Sequence, residues 1–361
     1  MSSLLITGGT GSWGRALIRH LLAGDAYERI VVFSRGEFAQ EMMQDQLGPQ
    51  PRLRYMLGDV RDPARLRRAL LGVTDVVHTA ALKYVAAGVY NVDEMFKTNI
   101  QGTAHVVDEA AAAGVARVLV IASDKGVHPV NAYGVSKQAA EHYAVQANAY
   151  TFPRGTRVSV LRAGNALWSR GSVAHRFAAH TGRWTPADPY RLTDRRMTRF
   201  GIRLSATSSL IARLLGVLRG GEVFVPRLPS FRVEDVAAAA WRHAHGSEWM
   251  GVLRAPGARK PAVMPRGYTR EALATVVGLR GGGEKIHESL LAPEESPHAV
   301  WVEGLGCYVV EPPARSWDRP AWEGEPVPEG WELSSDKNHL WLSEQDLVAT
   351  FAELDPGLPG A

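Results

Sequence analysis

Tyr133 and Lys137 stand four residues apart, and Ser123 lies ten residues before Tyr133. On a helix that step puts both side chains on one face, so the ammonium can lower the phenol's pKa and hold a ribose while the tyrosinate accepts a hydroxyl proton. Such pairs are common by chance; placement is what gives this one weight. Ser123-Asp124-Lys125 follows the apolar run Val118–Ile121, at the carboxyl edge where ligands bind in open α/β sheets.

A seat for a dinucleotide lies at the N-terminus. Thr7-Gly-Gly-Thr-Gly-Ser-Trp-Gly14 follows a strand-like run and opens a helical one, with Gly8, Gly11 and Gly14 in G-x-x-G-x-x-G spacing and Ser12 and Trp13 between them. A turn of this kind lets backbone N–H groups approach a pyrophosphate at a helix N-terminus. The next strand, Ile30–Phe33, ends in Ser34-Arg35 where an NAD site would carry an acid. Arg35 can fork onto a 2′-phosphate with Ser34 as a second donor, which favours NADP over NAD, although a solvated surface arginine competes with that reading. Asp59, before Val60, could accept from an adenine amino group or simply form a turn.

Around these residues, short β-branched runs at Leu4–Ile6, Ile30–Phe33, Leu53–Leu57, Val76–His78, Val118–Ile121 and Val158–Leu161 alternate with helical stretches at Arg15–Leu22, Ala64–Leu71, Asp93–Ala113 and Tyr133–Asn148. That order predicts an α/β fold, a Rossmann-like doubly wound parallel sheet with right-handed crossovers. Residues 1–165 form the dinucleotide-binding domain, to which some later segments return. Residues 166–361 read mainly as a smaller, discontinuous substrate lobe, with a helix near Ser208–Arg219, a strand at Glu222–Val225 and a Pro/Trp-rich tail, Pro312–Trp331, wrapping the surface.

The chain of 361 residues is 45% hydrophobic and 22% charged, an ordinary globular composition, and its net charge of +4 comes without a basic run. Nucleic-acid binding has no supporting motif. The single cysteine, Cys307, excludes an internal disulfide and a Cys-rich metal site, and fits a reducing cytoplasm. No run of about 20 apolar residues suggests a membrane span, and the first residues run into a strand rather than a signal core.

Longer motifs support a family resemblance. They are Thr7–Gly14, Phe33-Ser-Arg35, Gly58-Asp-Val-Arg-Asp62, His78-Thr-Ala-Ala-Leu-Lys-Tyr-Val85, Lys97-Thr-Asn99 with Gly102, and Ser123-Asp-Lys125 through Tyr133 and Lys137. Gly164-Asn165, Ser169-Arg-Gly-Ser-Val173, Thr193-Asp194, Arg196–Phe200, Gly220–Pro226, Gly283-Glu-Lys285, His287-Glu288 and Asn338 before Trp341-Leu342 continue them. Over nearly its whole length the chain resembles the extended short-chain dehydrogenases/reductases, and among them the inverting UDP-N-acetylglucosamine 4,6-dehydratases of bacterial glycan pathways such as pseudaminic acid.

The resemblance implies a redox-neutral elimination. Tyr133, with Lys137 and Ser123, would take the 4-hydroxyl proton as hydride passes to NADP; Lys125 would act as base at C5 and Asp124 as acid to the departing 6-hydroxyl. The Asp-Lys pair also admits a plain reading as a loop ion pair. The resemblance adds Ala80, Ala81, Lys83 and Asn99 to the cofactor site, Lys83 facing the sugar as well. For a nucleotide-diphosphate sugar it implies Asn165, Arg170, Gly171, Ser172, Val173, Thr193, Arg199, Arg280 and Glu284, the arginines as phosphate ligands. It implies a homo-oligomer and no metal. An epimerase, a dehydratase stopping at the 5,6-alkene, and a non-catalytic NADP-binding protein are the alternatives.

Four segments depart from the family pattern. Ala86 and Val89 stand for a Pro and a Glu, Trp168 for a Gly, Gly201 for an aromatic, and Arg280-Gly-Gly-Gly-Glu284 for Arg-Pro-Gly-Glu. If Trp168 and Gly201 share a pocket wall, they exchange volume there and point to a different sugar nucleotide.

Overall fold

The computed structural model describes residues 2–84, 89–245, 270–279 and 283–353. Along the chain run β1 (Ser3–Thr7), α1 (Ser12–Leu22), β2 (Arg29–Ser34), α2 (Glu37–Leu47), β3 (Leu53–Leu57), α3 (Pro63–Ala69) and β4 (Asp75–His78). Then come α4 (Val92–Phe96), a π-helical turn (Lys97–Gln101), α5 (Gly102–Ala112), β5 (Arg117–Ile121), α6 (Ala132–Gln146) and β6 (Arg157–Leu161). The rest comprises β7 (Asn165–Ala166), α7 (Val173–Thr181), β8 (Tyr190–Leu192), β9 (Thr198–Ile202), α8 (Leu204–Val217), β10 (Val223–Pro226), β11 (Ser230–Arg232), α9 (Val233–His245) and β12 (Ala274–Val276). It closes with β13 (Ser289–Leu291), β14 (Ala299–Val302), β15 (Cys307–Val310), β16 (Glu325–Pro326) and α10 (Glu344–Ala349).

Two compact units result, one of residues 1–163, 204–227 and 289–333, the other of 164–203, 228–288 and 334–361. In the first, ten strands form one sheet in the order β16-β14-β15-β10-β6-β5-β4-β1-β2-β3. From β10 to β3 the pairings are parallel, and β1 lies between β2 and β4, so the chain reverses direction beside the end of β1. That reversal is the crevice where ligands sit in doubly wound sheets. Ile30, Val32, Leu4 and Ile6 pack with Leu17, Ile18 and Leu214 in one buried cluster, which explains why the parallel strands read as unbroken apolar runs.

The six strands and four helical stretches legible in the sequence are all present, with two differences. The single helix expected over Asp93–Ala113 is broken by the π turn, and α2 escaped notice because its exposed Phe38 and many polar residues blur its apolar face. The helix and strand after residue 204, and the tail from 289, belong to the first unit rather than to the second lobe. α8 packs on α1, β10 continues the sheet beside β6, and β14, β15 and β16 extend it antiparallel. The tail is anchored where Trp317 and Arg319 donate to the Gly220 carbonyl at 3.2 and 2.6 Å. Among the described residues no helix is long and apolar enough to cross a membrane.

Candidate active site

The glycine turn leaves β1 at Thr7. Gly8 takes φ +67°, and the Gly11 N–H closes the turn on the Gly8 carbonyl at 2.8 Å. A Cβ on Gly8 would come within 2.9 Å of Ala80, and one on Gly14 would strike the backbone of Gly9 at 2.5 Å. The turn therefore lies flat against the segment after β4 while α1 starts on top of it, with Ser12 and Trp13 in its first turn. No side chain caps α1 at Gly11. A cradle that any Cβ would fill, at an uncapped helix N-terminus, fits the pyrophosphate of a dinucleotide.

At the end of β2, Ser34 is buried and Arg35 is half exposed, its guanidinium 3.7 Å from Asp59. Burial alone would raise the Asp59 carboxyl, but hydrogen bonds and charge from Arg61, with Arg35 adding to them, hold it below the usual carboxylate range. Asp59 is thus an anion tied to two arginines. Val60 is buried, and a Cβ at Gly102 would come within 2.7 Å of its side chain.

Thr7 and His78 are register partners on β1 and β4, and from them a buried hydrogen-bond chain runs to α6. The Thr103 hydroxyl donates to the Asn99 carbonyl at 2.7 Å, so it accepts from His78 Nε2 at 3.0 Å, and His78 Nδ1 accepts from the Thr7 hydroxyl at 2.7 Å. Desolvation, helped by the charge of Lys137, pushes the His78 pKa down to about 3, so the ring is neutral. The Asn99 side chain accepts from the Leu82 N–H and donates to the Leu82 carbonyl and the Ser136 hydroxyl, which in turn donates to the Tyr133 carbonyl. The amide of Asn99, placed by the family resemblance in the cofactor site, is bonded to Leu82 and Ser136. Ala81 is half-buried and Lys83 exposed on the same segment.

β5 delivers Ser123-Asp124-Lys125 into a 3₁₀ turn. Asp124 is fully buried, and its Oδ1 accepts from Ser123 Oγ at 2.8 Å and from Lys125 Nζ at 3.0 Å. α6 begins at an Asn131 cap, whose side chain accepts from the Gly134 N–H at 2.9 Å, and so brings Tyr133 and Lys137 up at its first two turns. Lys137 Nζ donates to the Ile121 carbonyl at 2.6 Å; burial, opposed by the nearby Glu141 charge, lowers its pKa to about 8. Glu141 continues the same four-residue step and meets Arg162 at the end of β6. Arg162 also reaches Glu295 and the Leu290 carbonyl, which pins α6 from behind.

Apart from Lys83 in the first unit, the described residues expected to hold substrate belong to the second. Asn165 donates to the Phe200 carbonyl at 3.3 Å, Arg170 is exposed, Gly171 takes φ +72°, and the Ser172 hydroxyl caps α7, which Val173 opens. Thr193 is buried, its hydroxyl on the Met197 sulfur at 3.1 Å. Arg199 differs from expectation. It is buried and donates to the carbonyls of Thr198, Ile286 and Lys285, with Glu284 and Glu288 both at 3.9 Å, so it ties residues 284–288 to β9 rather than presenting an open phosphate ligand. Arg280 and Ala86 lie outside the described residues.

A family model described as polysaccharide biosynthesis protein matches residues 4–306. The chain belongs to this family. Among relatives, a UDP-N-acetylglucosamine 4,6-dehydratase (inverting) of Campylobacter jejuni is 33% identical over 354 residues, 96% of each chain. A UDP-glucose 4-epimerase of Rickettsia felis is 34% identical over 309 residues, 85% of this chain and 81% of its own. Among solved structures, Pen from Bacillus thuringiensis superposes with a TM-score of 0.81 at 26% identity, covering 97% of both chains. The sequence-based identification as an enzyme of the extended short-chain dehydrogenase/reductase type stands on these matches and on the Rossmann-like sheet.

Measured against that family, Trp168 keeps a backbone suited to glycine, φ +64°, while its indole is fully buried against Phe351 and donates to Thr350 at 2.8 Å. Burial of the ring offsets a strained backbone that costs about 1–3 kcal/mol. The space beside Gly201 is held by Leu342 and Phe231, either of which a Cβ would approach to 3.1 Å. Trp168, Phe231 and Phe351 belong to one buried cluster against which Leu342 packs, and the β7 segment leading to Trp168 pairs with β9 at Gly201. Several contributors escaped the sequence reading. Gly126, Gly134, Ser136, Thr103 and Arg162 act through contacts distant in sequence, while Glu141 was signalled by its spacing from Lys137.

Proposed function

We propose that the protein is an NADP-dependent nucleotide-sugar 4,6-dehydratase, a hydro-lyase converting a UDP-N-acetylglucosamine-like substrate to a 4-keto-6-deoxy sugar. The observation that carries this reading is the pair of buried Asp124 and partly exposed Lys125, joined to Ser123. Oxidation at C4 needs only Ser123, Tyr133 and Lys137, whereas elimination needs an additional base and acid.

Lys125 Nζ and Asp124 Oδ1 lie 3.0 Å apart, so one proton passed along that hydrogen bond gives the amine and the carboxylic acid that the elimination needs. Tyr133 takes the proton of the 4-hydroxyl, with Lys137 stabilising the phenolate. The 4-ketone acidifies C5; the Lys125 amine removes that proton, and Asp124 protonates the departing 6-hydroxyl. The pair then stands as ammonium and carboxylate; the ammonium, on a side chain partly open to solvent, exchanges its protons and delivers one to C5, and the proton held by Tyr133 replaces the one that Asp124 gave to the departing water. When bound, the dinucleotide supplies the acceptor for the C4 hydride and its later return to C6. Thr7–Gly14 would seat its pyrophosphate, and Ser34 with Arg35 its 2′-phosphate. The residues around Asn165 and Arg170–Val173 would hold the nucleotide diphosphate. The buried lone Cys307 fits a cytoplasmic enzyme.

Turnover in D₂O tests the reading. The product should be lighter by one water and carry deuterium at C5; Lys125→Met should lose both while still reducing the cofactor transiently, and Asp124→Asn should exchange C5 but release water slowly. Product of unchanged mass and without deuterium would overturn it and favour 4-epimerisation, the activity named for the Rickettsia relative.

A further inference from the structure

Gln40 is almost fully buried in the first turn of α2, directly behind the Ser34-Arg35 edge. Its amide nitrogen lies 3.2 Å from the Ser34 carbonyl, 3.1 Å from the Met56 carbonyl and 3.0 Å from the Ser34 hydroxyl oxygen. Two of those neighbours are carbonyls, which can only accept, so the nitrogen and not the oxygen of the amide must face them. The amide shares its two N–H bonds among three acceptors, and because its nitrogen cannot accept, the Ser34 hydroxyl proton is directed elsewhere. α2 itself is fixed against the glycine turn by the buried Arg15, which donates to the Thr10 carbonyl at 3.0 Å and to Gln46 on α2 at 2.7 Å.

We propose that Gln40 is a positioning residue for cofactor selectivity, orienting the Ser34 hydroxyl as a donor to a ribose 2′-phosphate beside Arg35. This rests on the NADP reading above and deepens it. An NAD ribose, with a neutral 2′-hydroxyl that is itself a donor, gains little from a second donor; a phosphate, which only accepts at its ionised oxygens, gains a charge-assisted hydrogen bond.

The test is calorimetric titration of the cofactor-stripped full chain with NADP and with NAD. Wild type should prefer NADP. Gln40→Met, which keeps the volume and removes the donor, should weaken NADP roughly tenfold, the scale of one such hydrogen bond, and leave NAD nearly unchanged. Ser34→Ala keeps both carbonyl acceptors of Gln40 and so spares the fold; it should lower the NADP-to-NAD ratio by a similar factor, with the double variant no worse than Ser34→Ala alone. Equal loss for both cofactors in Gln40→Met, or an unchanged ratio in Ser34→Ala, would overturn the role of Gln40 while the NADP reading stands. A wild-type protein that prefers NAD would overturn the NADP reading itself.

Discussion

Gly134, the residue after Tyr133, lies against the carbonyl of Lys125 so closely that any side chain there would collide with it, and with Pro129 at 2.9 Å. The obstacle is backbone, not a flexible tip. Only glycine lets the start of α6 rest on the Ser123-Asp124-Lys125 turn. Gly134→Ala should push the two apart, lowering kcat on the order of a hundredfold and stability by about 1–3 kcal/mol. At Gly126 a Cβ would stand 3.2 Å from the Gln138 nitrogen, so Gly126→Ala should be milder. Paired kcat and urea-unfolding measurements check the order.

Lys137 gives a pH-dependent prediction. Its pKa of about 8 in the folded protein lies below the ordinary lysine value of 10.5, with burial the leading cause. Between those values the unfolded chain holds a proton that the folded chain has released, so stability rises with pH there. Below the lower value both states hold it, and the fold carries a cost on the order of 3 kcal/mol. Lys137→Met removes this dependence. Unfolding free energies from about pH 7 to about pH 10.5 should converge between variant and wild type as pH rises. A difference independent of pH would contradict the burial argument.

Arg35→Ala should weaken NADP at least about tenfold and leave NAD within a factor of about two, because the guanidinium can pair with a phosphate but has little to offer a ribose hydroxyl. Equilibrium dialysis with each cofactor decides it. Loss of the Asp59 contact is a minor effect here, since Arg61 still holds that carboxylate at 2.7 Å.

Arg162 is buried between Glu141 and Glu295. Removing the cation strands two carboxylates, so Arg162→Met should cost about 3–5 kcal/mol in chemical denaturation. Substituting Glu141→Gln and Glu295→Gln alongside it should recover part of that loss, because no uncompensated charge then remains inside.

Trp168→Gly and Gly201→Trp act on one buried cluster, so their effects on stability should couple. The first relieves a positive φ but opens a cavity beside Phe351; the second crowds Leu342 and Phe231. The loss in the double variant should differ from the sum of the single losses by more than about 0.5 kcal/mol in urea unfolding. Additive losses would show that the two positions do not share a wall.

Spacing along the chain was enough to place Gly8, Gly11 and Gly14 in the tight turn from β1 into α1 and Tyr133 with Lys137 on one helix face, because strand termination, a glycine turn and the four-residue step are local properties of the backbone. The same is true of the six strands through β6, since parallel strands buried on both faces must read as apolar runs. Local spacing could not tell where a buried donor ends. Asn99 and Arg199 have the residue types of ligands, yet the fold turns one onto Leu82 and Ser136 and the other onto the carbonyls of Thr198, Lys285 and Ile286. Nor could it assign residues 204–227 and 289–333 to the first sheet, because β10, β14, β15 and β16 are recruited by pairing with strands far away in sequence. Every buried polar group must find a partner and every sheet edge a neighbour, and which of many compatible partners is chosen depends on the packed whole.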